Sequence, residues 1–460
     1  MRTGALVSCL AVLLFGAAAR GDDKPFPKAA GYTGIWFTLG QKSEHGDKYS
    51  GGLATYTTSH TPIAIYAPKV NKTFFVYGGT VPGKRHLLAM ASYFDHATQS
   101  FPKPTIVHDK QTVDDPHDNP SLAIDEAGHV WVFVAGRGNV RPGFKYRSTK
   151  PYDVDSFELV ETKQKMAYPQ PWVVPGKGFF HFYVQYTKGR ELYFETSADG
   201  KTWGETRKLA GFGGHYQTTL LRGQSLYTAF NYHPRGNVDK RTNLYFLKTD
   251  DMGKTWTTAG GDKVEIPLND KKNAALVRDY EAEGRMVYIQ DVSADAAGQP
   301  VVLYVESGAH RPGPQETPRT WQIARYHDST KQWAFTKVCE STSNYDVGAL
   351  YVEAGGPWRI IGPTEPGPQK WGTGGEIALW ESTGDGAGWK KVRQMTQNSP
   401  RNHSYVRRPV GARADFYGIW ADGNADEFSE SFLYYCNRDG DVFRLPAVMD
   451  GATGKAERVK

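Results

Sequence analysis

The chain has 460 residues, of which 39% are hydrophobic and 13% aromatic, with 55 Lys and Arg against 49 Asp and Glu. The formal net charge of +6 is mild for this length, and no long basic run or nucleic-acid motif is present, which argues against nucleic-acid binding. The same charge permits an acidic partner such as a uronate polymer.

The first residues have the pattern of a secretory signal peptide, with Arg2 ahead of an apolar run from Ala5 to Ala19. The run is too short to span a bilayer, and no later segment is apolar enough to do so. We therefore predict that residues 1–21 are a removable signal. The mature protein is expected to be secreted or periplasmic, with no membrane partner.

Three cysteines are present, and Cys9 would be lost with the signal. The repeat described next places Cys339 and Cys436 in units that are not adjacent, where they are too far apart for a disulfide. We expect two buried free thiols.

A pattern of short aromatic strands returns seven times along the chain. The third strand of each copy can be anchored at intervals of roughly 50 residues, on Phe94, Tyr146, Tyr193, Tyr245, Tyr326, Leu379 and Tyr434. One interval is longer, which predicts an insertion between Gly260 and Val287. Alternating apolar strands and the lack of a helical period predict an all-β, seven-bladed β-propeller. Residues 31–446 would form this single domain, and residues 447–460 a frayed tail.

Two turns carry an Asp-box, Ser/Thr-x-Asp-x-Gly-x-Thr-Trp. The segment Thr249–Trp256 fits it at every fixed position, and Thr196–Trp203 fits with its Asp moved by one. Because such boxes lie in the turn between the two outer strands of a blade, we predict a structural role for both. Sialidases share the boxes, but the Arg-Ile-Pro segment that opens a sialidase is not present here.

The candidate site follows from the geometry of a blade. Its innermost strand begins, and the hairpin partner of that strand ends, at the same face of the disc, so side chains at those positions converge on a central funnel. The residues so selected are His60, His117, Asn119, Arg137, Tyr168, Gln170, Tyr186, His215, Tyr216, His233, Asp291, Glu306, His310, Tyr345, Asp346, Glu365, His403, Tyr405, Arg408 and Asp422. The set is rich in His and Tyr, which transfer protons near neutral pH.

Four segments resemble the BNR-4 propeller family, and the resemblance extends over about residues 31–446. They are Tyr49–Leu53, His117–Leu122, Tyr168–Gln170 and Gly298–Tyr304. That family includes secreted ulvan lyases, and it is similar to propeller α-L-rhamnosidases. The resemblance implies an enzyme that cleaves glycosidic bonds in an acidic polysaccharide containing rhamnose or uronate.

The resemblance to ulvan lyases can be followed residue by residue. His117 and Tyr168 match the His that opens the second blade and the Tyr that opens the third. The second His of the lyases falls on Arg137, and their Arg falls on Val184. The resemblance implies that His117 and Tyr168 are proton-transfer groups and Arg137 a carboxylate clamp. His215, Tyr216 and His233 would form the opposite wall.

Three alternatives remain open at this point. Because two of the four lyase positions differ, a hydrolase similar to the rhamnosidases is slightly favoured over a lyase. The rhamnosidases use a His on the posterior face, for which His45 is the candidate. A conventional glycosidase would need two carboxylates flanking the bond, from Asp291, Glu306, Asp346 and Glu365. A non-catalytic carbohydrate-binding propeller is the third alternative.

No metal or cofactor motif is visible, since HExxH segments, Cys-His clusters and EF-hand loops are all lacking from the sequence. We therefore predict no cofactor, with a structural Ca²⁺ in an Asp-rich rim loop left open. The expected partner is a polysaccharide or oligosaccharide substrate, bound by a monomer.

Overall fold

The computed structural model describes residues 25–459 except 53, 82, 316 and 317; the signal-peptide prediction lies outside them. The described residues form short antiparallel strands and two 3-10 turns of three residues each, Pro116–Asp118 and Pro234–Gly236. No helix in this part of the chain has the length and apolar character needed to cross a membrane.

The strands follow one another as antiparallel sheets. An N-terminal segment holds β1 (Thr33–Thr38), β2 (Lys42–Ser43), β3 (Gly46–Asp47) and β4 (Ser50–Gly52). The first sheet region holds β5 (Ala64–Ala67), β6 (Lys72–Gly79), β7 (Leu88–Asp95), β8 (Phe101–Pro102) and β9 (Thr105–Asp109). The second sheet holds β10 (Pro120–Ile124), β11 (Val130–Val134), β12 (Gly143–Ser148) and β13 (Phe157–Lys163). The third holds β14 (Ala167–Val174), β15 (Gly178–Tyr186), β16 (Arg190–Ser197) and β17 (Arg207–Ala210).

The second half continues in the same way. The fourth sheet holds β18 (Gln217–Arg222), β19 (Ser225–Tyr232), β20 (Thr242–Thr249), β21 (Trp256–Thr257), β22 (Lys263–Val264) and β23 (Leu276–Arg278). The fifth holds β24 (Met286–Ala294), β25 (Pro300–Ser307), β26 (Arg319–His327) and β27 (Gln332–Ser341). The sixth holds β28 (Ala349–Tyr351), β29 (Arg359–Glu365), β30 (Glu376–Glu381) and β31 (Lys390–Gln394). The seventh begins with β32 (Asn402–Arg407), β33 (Gly418–Gly423), β34 (Ser429–Cys436) and β35 (Val442–Arg444), and β36 (Thr453–Gly454) and β37 (Glu457–Arg458) end the chain.

The N-terminal segment closes the array of sheets. Strand β1 pairs with β34 and then with β4, so the order of the last sheet is β32-β33-β34-β1-β4. Consecutive antiparallel sheets that pack side by side and join first to last are a β-propeller arrangement. The fold is therefore all-β, as predicted. The tail is not frayed: β36 pairs with β8 and β37 with β35, because the tail finds open strand edges there.

Several finer predictions are confirmed. Each of the seven aromatic or Leu anchors lies in the third strand of its sheet. The predicted insertion supplies β22 and β23, and β23 pairs with β20. Cys339 and Cys436 are buried free thiols. The sequence pattern therefore located the strands correctly, because local alternation and turn chemistry dominate in so repetitive a fold.

The Asp-boxes stabilise the outer turns. Asp251 accepts hydrogen bonds from the Thr249 hydroxyl at 2.9 Å, the Thr255 backbone N–H at 2.9 Å and the Thr255 hydroxyl at 2.7 Å. The turn places Trp256 in the core, where its ring packs against those of Phe180, Phe182 and Phe194 in the preceding sheet. The box thus fixes a turn and also joins two sheets.

We expect Asp251→Ala to lower the free energy of unfolding by about 1–2 kcal/mol, since hydrogen bonds to a charged group are lost at a turn. Chemical denaturation of the purified variant measures this loss. Lys254→Ala, which changes an exposed side chain in the same turn, is the control and should leave stability unchanged. Equal stability of the two variants would refute the structural role.

Candidate active site

A pocket lies at the face where the innermost strands begin. Its polar lining is made of tyrosines, small hydroxyl side chains, amides and one arginine: Tyr49, Tyr56, Tyr168, Tyr216, Tyr288, Tyr345, Tyr405, Thr57, Thr58, Ser59, Asn231, Gln290, Asn344 and Arg241. Among the described residues, no Asp or Glu lines it. The pocket therefore offers phenols and positive charge, and it lacks the two carboxylates of a conventional glycosidase.

Two innermost strands bulge where they reach the pocket. Tyr168 in β14 has a φ of +52° and Tyr405 in β32 a φ of +58°, and the strand register shifts at both positions. A bulge redirects a side chain, and left-handed backbone in a large residue costs free energy that is commonly found at functional sites. Both tyrosines line the pocket as a result.

His117 stands behind the pocket wall in a chain of hydrogen bonds. The 3-10 turn Pro116–Asp118 is capped by Asp115, whose carboxylate accepts from the backbone N–H of His117 and also bonds its ring Nδ1. On the other side, His117 Nε2 lies 3.3 Å from the hydroxyl of Tyr56, which lines the pocket. Asp115, His117 and Tyr56 thus form a line that ends at the cavity.

The charges around His117 keep its imidazole in one arrangement. Burial lowers the pKa of His117, although the Asp115 carboxylate acts in the opposite direction. Arg137 is ion-paired with Asp115, and Arg141 donates to the same carboxylate at 2.8 Å. The expected carboxylate clamp, Arg137, is thus already engaged by a protein carboxylate.

Two further guanidinium groups have no such partner. Arg241 stacks on the rings of Tyr216 at 4.6 Å and of Tyr288 and Tyr345 at 5.0 Å. Arg190 lies over Tyr186 at 5.3 Å. Within the described part of the chain, neither has a carboxylate at ion-pair distance, and Arg190 Nε is buried with no hydrogen-bond partner. Two positive charges without counter-ions beside a pocket favour an anionic ligand.

Tyr216 differs from the other pocket tyrosines. Burial raises its pKa, but Arg190, Arg241 and the hydrogen bond with Tyr168 outweigh burial, so the pKa of Tyr216 is lowered. For Tyr56, Tyr168 and Tyr345, burial raises the pKa. Neighbouring phenols whose pKa values are pushed apart are suited to opposite roles in proton transfer.

Several of the predicted residues lie around this pocket. The ring of His60 packs on Tyr168 with centroids 5.3 Å apart, and its Nε2 contacts the carbonyl of His117 at 3.0 Å. Burial lowers the pKa of His60 to about 3, so it is neutral. The ring of His233 packs on Tyr216, and Asn119 is buried beside His117. These residues support the wall more than they line the cavity.

Other predicted residues point away from the pocket into the sheet packing. Gln170 bonds Gln217 and Thr219 of the next sheet, and His215 contacts the Asn231 carbonyl. His403 contacts Ser399 and Trp420. His215 and Tyr216 are adjacent and face opposite ways, so only Tyr216 reaches the cavity. Tyr168 and Gln170 are separated by the bulge in β14, and only Tyr168 reaches the cavity.

The four carboxylates considered for a glycosidase are also occupied elsewhere. Asp291 accepts from two backbone N–H groups, those of Val292 and Leu350. Glu306 pairs with Arg285, and Glu365 with Lys391. Asp346 accepts from the backbone N–H groups of Ser343 and Gly374 at 2.8 Å each. These hydrogen bonds and ion pairs indicate that the four carboxylates have structural roles.

Burial raises the pKa of Asp346 to about 7, against hydrogen bonds that lower it. A carboxyl with a raised folded-state pKa contributes stability below its ordinary value of 3.8, and this contribution is lost as pH rises toward about 7. The compared quantity is the unfolding free energy of Asp346→Asn minus that of the original protein. We expect this difference to increase as pH rises from 3.8 to about 7. Denaturation at a series of pH values measures it; a constant difference would contradict the raised pKa.

The prediction for His45 is wrong in its placement. His45 lies in the β2–β3 hairpin and shares a groove with Lys48, Asp239 and His310. Asp239 and His310 follow the second strands of their sheets, so this groove opens on the pocket face and not on the posterior face. The N-terminal hairpin folds back over that face because Lys48 pairs with Asp239.

The sequence interpretation missed Tyr49, Tyr56, Arg190 and Arg241. The two tyrosines belong to the segment before the first repeat, where no strand rule applies. The arginines lie at the starts of third strands β16 and β20. Third strands begin at the pocket face as well, so extending the rule to them would have found both. Among the described residues, no cluster of three or more potential metal ligands occurs.

Known proteins share this architecture. A solved ulvan lyase of polysaccharide lyase family PL25, bound to -[GlcA(1-4)Rha3S]-, superposes with a TM-score of 0.69 at 15% identity, over 89% of this chain and 96% of that one. A second solved polysaccharide lyase has a TM-score of 0.62 at 12% identity, over 89% and 99%. At such identities the likeness shows the fold.

Sequence relatives are equally distant. An ulvan lyase of Nonlabens ulvanivorans is 21% identical over 324 residues, covering 62% of this chain and 66% of that enzyme, just under two thirds of its length. An ulvan lyase of Alteromonas sp. (strain LOR) is 21% identical over 376 residues, covering 72% and 73%. The model of the BNR repeat-containing family matches residues 84–341, more than half of the chain. This chain therefore belongs to the BNR repeat-containing family.

Proposed function

We propose that this protein is a polysaccharide lyase that cleaves a uronate-containing polysaccharide by β-elimination. The observation that carries the proposal is the pocket of phenols beside two guanidinium groups without counter-ions, with no carboxylate in its described lining. Elimination needs a cation at the uronate carboxylate, a base for the C5 proton and an acid for the leaving oxygen. Two-carboxylate hydrolysis needs groups that this pocket lacks.

The residues take roles that follow from their positions. Arg190 and Arg241 would hold the uronate carboxylate, which replaces the earlier assignment of that role to Arg137. His117 and Tyr168 remain proposed proton-transfer groups, His117 through the Tyr56 hydroxyl and Tyr168 through its hydrogen bond with the Tyr216 hydroxyl. His45, on the pocket face, would contact substrate at the rim.

The preference for a hydrolase over a lyase, drawn from the two differing positions, is not supported. The relatives and structures named above are lyases, and the rhamnosidase interpretation required a posterior His45. Arg190, from the next strand of the same sheet, would supply the positive charge lost at Val184.

We also propose the number of blades, the domain bounds, the cellular location and the oligomeric state of the protein. We take the seven sheets of four or more strands in the described residues as seven blades of one domain over residues 31–446. The signal peptide, secretion or a periplasmic location, and a monomeric state remain proposals that mass spectrometry of the exported protein and light scattering can test.

The function is tested by incubating the purified protein with ulvan, gum arabic and pectic glycans. Ultraviolet absorbance of unsaturated uronate and new reducing ends are followed together. We expect both signals to rise in step on at least one uronate-containing substrate. Reducing ends without absorbance would indicate a hydrolase, and binding without either signal a carbohydrate-binding propeller.

His327→Ala serves as the matched control for all pocket variants. It removes an imidazole at the far end of third strand β26, on the opposite face from the pocket. Its activity should equal that of the original protein on every substrate that is cleaved.

A further inference from the structure

We propose that Tyr216 is the general base of this site and accepts the C5 proton of the uronate. This assignment rests on the proposed lyase function and adds to it a residue that the matched lyase positions do not include. It is carried by the position of the Tyr216 hydroxyl, by the groups around it and by the way the phenol is held.

Tyr216 is fixed in place from several sides. Its backbone N–H donates to Asn231 Oδ1 at 3.0 Å, and Asn231 in turn donates to the Val287 carbonyl at 3.1 Å. The ring packs edge-on against Tyr168, with centroids 5.2 Å apart, and against His233 at 4.9 Å. A base that is held rigidly at the pocket wall needs little reorganisation to act.

The groups that face Tyr216 favour its phenolate. Arg241 lies over the ring from the fourth sheet, Arg190 acts from the third, and Arg137 contributes from the second. The Tyr168 hydroxyl shares a hydrogen bond of 3.2 Å with the Tyr216 hydroxyl. His233 contributes no charge, because burial lowers its pKa and keeps its ring neutral. The negative charge that Tyr216 would carry thus has partners on three sheets.

The elimination moves one proton onto Tyr216 and one away from Tyr56. The C5–H bond breaks and its proton passes to the Tyr216 oxygen, while the electron pair forms the C4=C5 double bond. The C4–O bond breaks, and the leaving oxygen takes a proton from Tyr56, which is backed by His117. Arg190 and Arg241 stabilise the charge that develops on the carboxylate. Tyr216 then returns its proton to water by way of the Tyr168 hydroxyl, and Tyr56 regains a proton from water through His117.

The test combines a titration with kinetics. Phenolate absorbance of the free protein is followed against pH in the original protein, Tyr216→Phe, Tyr168→Phe and the distant control Tyr66→Phe. We expect one phenol to ionise at a lower pH than the others, which gives an early step in phenolate absorbance. This early step should be absent in Y216F alone. We also expect kcat of Y216F to fall by at least about 10²-fold, and kcat of the original protein to rise with pH through the same step.

The outcomes separate this assignment from the function. Lyase activity with no early step, or with an early step that survives in Y216F, would overturn Tyr216 as the base and leave the lyase intact. An early step assigned to Tyr216 without unsaturated product on any uronate polymer would overturn the lyase function and the assignment with it. Y216F changes no packing volume beyond one oxygen, and its thermal melting should match that of Y66F.

Discussion

The double variant Arg190→Gln/Arg241→Gln is expected to lower kcat/KM on a uronate substrate by about 10⁴-fold. Each guanidinium is proposed to stabilise the charge that develops on the carboxylate, and loss of one such preorganised donor costs about 10²–10³-fold. Each single variant should show a loss in that range. Initial rates of absorbance increase at several substrate concentrations measure the effect.

Stability distinguishes loss of a ligand site from loss of the fold. Since neither arginine has a carboxylate partner among the described residues, their replacement removes charge that the free protein does not neutralise. The double variant should therefore keep its melting temperature. Arg444→Gln, which changes an exposed arginine paired with Glu457, is the matched control. Unfolding of the double variant, or full activity in it, would contradict the clamp.

Replacing His117 by Ala should lower kcat by about 10³-fold. The imidazole links the Asp115 carboxylate to the Tyr56 hydroxyl, so its removal leaves Tyr56 without the group that exchanges its proton. KM should change little, because His117 does not line the pocket. The steady-state constants of H117A, compared with those of H327A, give the answer.

A conservative variant separates proton transfer from support of the wall. His117→Gln can still hydrogen-bond Tyr56 but cannot exchange a proton, so it should keep the support of the wall and leave kcat low. If H117Q instead recovers most of the activity, His117 only positions Tyr56.

The fold was predictable because its signals are local. Strand alternation, turn residues and the Asp-box at Thr249–Trp256 each act within a few residues, and every anchor such as Tyr193 or Tyr434 lies where the repeat places it. The tail is the exception. Its strands pair with β8, which lies far away in sequence, and with the nearby β35, and no local pattern indicates that these strand edges are open.

The site was predictable only in part, because it depends on side-chain direction and on segments outside the repeat. Whether His215 or its neighbour Tyr216 faces the cavity depends on one step of strand register. Tyr168 reaches the pocket through a bulge, which composition does not reveal. Tyr56 and the hairpin that carries His45 come from the N-terminal segment, whose path over the pocket face is set by tertiary contacts such as Lys48 with Asp239.

The most direct test of the lyase account is digestion of ulvan in heavy-oxygen water, followed by mass spectrometry of the oligosaccharides. Elimination breaks the C4–O bond without consuming water, so the account predicts products with an unsaturated uronate end and no heavy oxygen gained at the cleaved bond. Products that are saturated and carry one heavy oxygen at the new reducing end would contradict elimination and establish hydrolysis.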